Sequence, residues 1–305
     1  MNLILKLLTF CVVLFIYMHV CFYLKKSNDL EIYEIDNFSK DKFEEVCNLR
    51  QPVIFNMALD CLDNLCFDNI LNTYGPFDIK IQNLNGNKTF VPFTLKKAAE
   101  IIKTKESKYI SEHNEEFLRE TCLIKELKAN DNMLRPYMVS NCYYDIIMGS
   151  DQSTTPLRYD LNCRNFLMIV QGNATIKLTP PKNSKYLYLD KDYENFEFNS
   201  LVNPWNVQDE YRSSFDKTQF LEVNITKGRL LFIPAYWWYS IKLGEDTVLA
   251  SFKYRTFMNN VAIIPDLFMS LLQNQNIKHM TVKTTNMKES PHGSDHSDKN
   301  NTPSG

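Results

Sequence analysis

The sequence predicts a mainly β protein with flanking helices, an α+β arrangement whose strand-rich half closes as an antiparallel barrel or double-sheet jelly roll. Three observations carry that expectation. From about residue 138, short apolar runs follow one another (MVSNCYYDIIM, RNFLMIVQG, ATIKLTP, KYLYL, FLEVNI, RLLFIP, WWYSIKL, TVLASFKYR), separated by Gly, Pro, Asn and Asp. Upstream of them, apolar residues recur at helical spacing instead. The 305 residues are 44% hydrophobic, which is enough to build a core and excludes wholesale disorder.

The amino-terminal run LLTFCVVLFIYMHVCFYL, within residues 3–24, has the length and apolarity of one bilayer-crossing helix. Bulky Cys21, Phe22, Tyr23 and Leu24 close the run where a cleaved signal peptide would have small residues. The expectation is a single-pass signal anchor in a membrane. Lys6 and the amino group oppose Lys25 and Lys26 in the positive-inside balance, so the side of the soluble domain stays open. The sequons at Asn37, Asn87, Asn173 and Asn224 would matter only on the lumenal side.

Residues 25–31 read as a linker and 32–275 as one domain. Its first part, 32–137, reads as largely helical: Ser39 caps a helix to about Arg50, with further helices at about 59–73, 95–104 and 114–128. PVIFN (52–56) and FDIKIQN (77–83) read as strands. The β core spans 138–260 and a closing helix 264–273. Residues 280–305, rich in Ser, Asn, Lys and His, read as a disordered tail.

Composition then excludes function classes. With 34 basic against 36 acidic residues, no general nucleic-acid binding is expected. Eight cysteines without a CxxC pair argue against structural zinc and a dense disulfide framework. No GxSxG elbow, phosphate-binding loop or HExxH helix occurs. Five histidines are present, none between residues 114 and 278, so the strand-rich core has no imidazole of its own.

Two segments, STTPLRYDLNCRNFLMIVQGNATIKLTPP (153–181) and VNITKGRLLFIPAYWWYSIKL (223–243), resemble the JmjC and cupin-like protein hydroxylases of the asparaginyl-hydroxylase type. Thr155, Pro156, Asp160, Asn165, Gly172, Pro180 and Pro181 stand at matching positions, as do Gly228, Phe232, Pro234, Trp237 and Trp238. The resemblance covers roughly residues 31–260 and implies a double-stranded β-helix. It also implies an iron(II) site of two histidines and one carboxylate, with 2-oxoglutarate beside it. Here the first histidine position is Arg158 and the second is Tyr239, and only Asp160 remains. A guanidinium has no lone pair to give a metal. Arg158 and Asp160, two apart on a strand, share a face, and an ion pair between them is expected. The family's cosubstrate lysine is replaced by Ala174, and Lys177 lies on the opposite strand face.

Thr155, Asn165, Ala174 and Trp238 are therefore expected pocket residues, and Arg158, Asp160 and Tyr239 a degenerate metal site, with no catalytic residue and no metal assigned. The leading expectation is a membrane-anchored, catalytically inactive relative of these hydroxylases that binds a protein or small anionic ligand and needs no cofactor. One alternative is a working iron(II)/2-oxoglutarate hydroxylase using Asp160 and Tyr239, assisted by His113. Another is a purely structural membrane-associated interaction module.

Overall fold

The structure, a computed structural model, describes residues 3–57, 64–85, 89–104 and 108–279. The first half runs α1 (Leu3–Leu24), β1 (Tyr33–Ile35), α2 (Lys40–Asn48), β2 (Val53–Asn56), α3 (Phe67–Tyr74) and β3 (Asp78–Asn83). It continues through β4 (Phe90–Thr94), α4 (Leu95–Ile102), β5 (Tyr109–Ser111), α5 (Glu115–Glu120) and α6 (Leu123–Asn130). The second half holds β6 (Val139–Gly149), β7 (Arg158–Tyr159), β8 (Arg164–Gln171), β9 (Asn173–Thr179), β10 (Leu189–Asp192), β11 (Glu197–Ser200) and α7 (Asp209–Phe215). It closes with β12 (Leu221–Thr226), β13 (Arg229–Ile233), β14 (Trp238–Leu243), β15 (Val248–Thr256), α8 (Phe257–Ala262) and α9 (Ile264–His279).

The strands form two facing sheets, ordered β1-β2-β13-β8-β15-β6-β5-β3-β4 and β10-β11-β7-β14-β9-β12 among the described residues. Apart from β1 on β2, the pairings are antiparallel, as a jelly roll requires. Residues 32–137 supply five of the strands in the larger sheet, so that half is mixed rather than largely helical. The short strands β4, at the sheet edge, and β5, between β6 and β3, lie where the sequence shows little alternation.

Period-two alternation sorts side chains between two cores. On β15, Ala250, Phe252 and Tyr254 face the α2–α6 side, where they join Phe43, Phe55 and Phe166. Leu249 faces the other way, into the space between the sheets with Ile147, Leu167, Ile169, Ile176 and Leu231. The next positions on that inward face of β15 are Ser251, Lys253 and Arg255. The inward face of β6 likewise changes from Ile147 to Asp145 and Tyr143. The interior between the sheets is thus apolar at one end and charged at the other, and the charged end is where the site lies.

Several local expectations are met and others corrected. Ser39 caps α2, its side chain accepting the Lys42 N–H at 3.3 Å. Gly172 turns β8 into β9 at φ 74°, where a Cβ would come within 2.6 Å of Thr247 Oγ1. The helix expected over 59–73 is α3, which begins at Phe67; residues 58–63 lie outside the described residues. The single helix expected over 114–128 is two, because Cys122 adopts a left-handed φ of 61°. That break lets Phe117 and Leu118 of α5 and Leu123 and Leu127 of α6 all reach the same core. KYLYL is not a strand throughout: a 3₁₀ turn begins at Pro181 and runs to Tyr186, and pairing starts only at Leu189. The closing helix extends to His279, and the expected tail at 280–305 lies outside the described residues.

Helix α1 is long and apolar enough to cross a membrane, and none of its residues is buried in the domain. Only His19, Val20 and Tyr23 near its carboxyl end are half-buried, where α1 meets α8.

Candidate functional site: a salt-bridged cavity between the sheets

Strand β7 carries Arg158 into the interior, pairing it with Tyr239 of β14 and Asn199 of β11. Its guanidinium does not meet Asp160. Nη2 donates to Glu112 Oε2 at 2.7 Å, and the two side chains are 10% and 2% exposed. The guanidinium also lies 5.7 Å from the centre of the Tyr239 ring. The expected Arg158–Asp160 ion pair is therefore corrected. Glu112, delivered by the turn between β5 and α5, takes the guanidinium in place of the carboxylate nearer in sequence, Asp160, which Tyr239 and Lys253 already engage.

Asp160 is held from two sides. The Tyr239 hydroxyl donates to Oδ2 at 2.7 Å, and Lys253 Nζ donates to Oδ1 at 3.0 Å. Burial alone would raise the Asp160 pKa, but Lys253, Arg158 and the Tyr239 hydroxyl together hold it below the ordinary carboxylate value. Glu112 behaves alike: burial opposes its charge, and Arg158 with His113 more than restores it. Burial and the Asp160 charge push the Tyr239 phenol up, which keeps it a proton donor rather than a phenolate. Lys253 is raised despite burial, chiefly by Asp160.

Around this core opens a cavity of about 570 Å³. Arg158, Asp160, Lys253, Arg255, Asp145 and His113 line it. Two of the cations on its wall are paired, Lys80 with Glu116 at 2.9 Å and Lys253 with Asp160 at 3.0 Å, and His113 Nε2 lies 3.2 Å from Glu197 Oε1. Arg255 instead donates from Nε to the neutral Asn162 Oδ1 at 2.6 Å. Asp145 accepts the backbone N–H groups of His113 and Asn114 at 2.8 and 2.7 Å, fixing the start of α5. His113 thus does reach the cavity wall although it precedes the strand-rich core.

The other expected pocket residues lie elsewhere. Thr155 Oγ1 accepts the Ile241 N–H at 2.9 Å and its carbonyl accepts the Ser240 hydroxyl, so Thr155 joins two backbone segments. Asn165 Nδ2 donates to the carbonyls of Ile233 and Asn162. Ala174 is buried in the apolar part of the interior. Trp238 packs with Leu157 and Leu187 on the outer side, its indole N–H donating to Ser184 at 2.8 Å. None of the four lines the cavity. Lys177 is engaged on the outer side too, donating to the Pro204 carbonyl and lying 4.5 Å from the Trp205 ring.

The residues present do not fit an iron(II) site of two imidazoles and a carboxylate. Its three positions carry a guanidinium, a phenol and a carboxylate already bonded to a lysine, and iron(II) needs free lone pairs from each. Among the described residues no group of three or more His, Cys, Asp or Glu side chains is arranged to hold a metal ion. Nor does the cosubstrate side fit: Ala174 offers no cation, and Lys177 is turned away. Glu112 and Lys253 were not singled out from sequence. Lys253 had a signal, a charge that alternates with Arg255 at the end of the largely apolar run TVLASFKYR.

This fold and motif order define a family. The chain belongs to the cupin-like domain family, whose model matches residues 39–260. JmjC domain-containing protein D of Dictyostelium discoideum is 30% identical over 113 residues, 37% of this chain and 24% of that protein. Human HSPB1-associated protein 1 is 30% identical over 96 residues, 31% of the chain and 20% of that protein. Lysine-specific demethylase JMJ31 of Arabidopsis thaliana is 26% identical over 155 residues, 50% of the chain and 28% of that protein. The chain matches between a fifth and just over a quarter of these relatives' lengths. The domain is thus JmjC/cupin-like and related to a group that includes a demethylase.

Proposed function

We propose that this chain is a membrane-anchored cupin-like binding domain in which oxygenase chemistry has been replaced by internal ion pairs. The single observation that carries the reading is the double capping of Asp160 by Tyr239 and Lys253, with Arg158 fixed on Glu112 beside it. A metal would have to displace a lysine from its only family-type ligand. The mixed charges of the cavity wall also bear on the ligand. A free dicarboxylate meets one cation there that is bonded only to a neutral partner, Arg255 on Asn162, and carboxylates elsewhere on the wall oppose its second charge. A polar segment of polypeptide can instead exchange hydrogen bonds with both signs. The partner class proposed is therefore a polypeptide rather than a small anion, with α1 holding the domain at a membrane.

The test is made on the full chain in detergent. Iron(II) and 2-oxoglutarate, separately and together, are expected to leave the melting temperature unchanged, and no succinate is expected to form. Stoichiometric iron in the isolated protein, or succinate release abolished by Asp160→Ala, would overturn the reading. Membrane insertion is tested by alkaline extraction of membranes and by sequencing the mature amino terminus. Recovery of an intact α1 in the extracted pellet supports an anchor, and loss of α1 by cleavage refutes it.

A further inference from the structure

Helix α9 carries an apolar stripe that the described residues leave exposed. Ile264, Phe268, Leu271 and Leu272 follow helical spacing and are 54%, 57%, 55% and 38% exposed. The neighbouring face of the same helix is occupied, since Leu267 and Ser270 line the cavity and Asp266 accepts the Tyr193 hydroxyl at 3.2 Å. From Ile264 to Ile277 the sole charged residue is Asp266.

The position of α1 says what covers the stripe. Residues 3–18 of α1 are exposed, and half-buried residues occur only in its last turns. Those turns pack on α8, which passes directly into α9. The docking is specific: the Arg50 guanidinium lies 5.1 and 5.5 Å from the Phe22 and Tyr23 rings, and Lys26 Nζ lies 4.2 Å from the Tyr236 ring. Phe257, the first residue of α8, is 57% exposed beside this foot. The apolar stripe therefore begins at Ile264, two residues past the helix on which α1 rests.

We propose that α9 is an interfacial helix: Ile264, Phe268, Leu271 and Leu272 rest in the headgroup–acyl boundary of the bilayer that α1 crosses. The inference rests on α1 being a membrane anchor. It makes α9 the common edge of the bilayer and the cavity, so a partner would enter the cavity at the membrane surface. Partial immersion of such a stripe adds to the hold of a single span, in proportion to the apolar area buried.

The experiment uses the full chain in phosphatidylcholine vesicles, with Leu271→Trp as the reporter and Glu222→Trp, on β12 of the other sheet, as the control. Lipids brominated near the headgroup quench an indole only when it lies in the bilayer. The expected result is that both variants float with the vesicles, while only the Leu271→Trp signal shifts to the blue and is quenched at least twofold beyond the parent chain. Flotation with an unquenched Leu271→Trp signal overturns the interfacial assignment and leaves the anchor intact. Failure to float at all overturns the anchor, and this inference with it. Quenching of Leu271→Trp that persists undiminished in Phe268→Asp/Leu272→Asp also counts against the stripe.

Discussion

Arg158 bonds to Glu112, 46 positions away in the chain, and not to Asp160, two positions on, just past the end of β7. Both side chains are withdrawn from water, so each depends on the other for its charge to be tolerated. Arg158→Met is expected to destabilise the full chain by about 3–5 kcal/mol, because it leaves Glu112 buried and unpaired. Arg158→Met with Glu112→Leu is expected to recover most of that loss, since the second change removes the unpaired charge. A urea-denaturation double-mutant cycle measures the coupling. A loss below about 1 kcal/mol for the single variant would show that solvent already screens the pair.

The same pair sets an acid limit. Glu112 and Asp160 both have folded-state pKa values below their ordinary ones, so each contributes stability present above the unfolded values, about 3.9–4.3. That contribution is lost as pH falls through the lower folded values. The denaturation midpoint is expected to hold from pH 7 to about 5 and to fall below about pH 4. Arg158→Met reverses the sign at Glu112. With its cation gone, burial dominates and raises its pKa, and that variant loses stability as pH rises from 4 to 7. Parallel pH profiles for the two proteins would refute the assignment.

A second buried carboxylate acts as a structural hub on the helical side of the larger sheet. Asp131 accepts the hydroxyls of Tyr144 at 2.6 Å and Tyr254 at 2.7 Å, and pairs with Arg135 at 2.6 Å. It joins the end of α6 to β6 and β15. Asp131→Ala strands two buried hydroxyls and is expected to cost about 3 kcal/mol or more. Tyr144→Phe removes one donor and leaves the carboxylate with two, for a cost of about 1 kcal/mol. Thermal melts of both variants check the order, and equal costs would contradict it.

The parts of this architecture that were legible in sequence are those written locally. Ser39 before α2, the alternation of β8 and β13–β15, and the motif order around Asp160 each lie within a few residues. What was hidden depends on register between distant strands. Nothing in RYD announces that Glu112 will face Arg158, because Glu112 follows a strand of only three residues, β5, inserted between β6 and β3. Lys253 reaches Asp160 only because the inward face of β15 turns polar after Leu249. Trp238 shows the opposite case, in which the rule was available. It adjoins Tyr239 on one strand, so the two must face opposite sides, and placing Tyr239 inward sends Trp238 out.

Lys253 also decides how an iron-type site could be rebuilt. Restoring imidazoles by Arg158→His with Tyr239→His supplies lone pairs but leaves the ammonium 3.0 Å from the carboxylate a metal would need. A cation at that distance competes for the same oxygen and repels the incoming ion. The double variant is therefore expected to bind cobalt(II) weakly, and adding Lys253→Met is expected to tighten binding at least tenfold, about 1.4 kcal/mol. Cobalt(II) titration followed by visible absorbance reads both affinity and coordination geometry. Equal affinity in the double and triple variants would show that Lys253 yields its place freely, and would remove the main physical reason for regarding Asp160 as closed to metals.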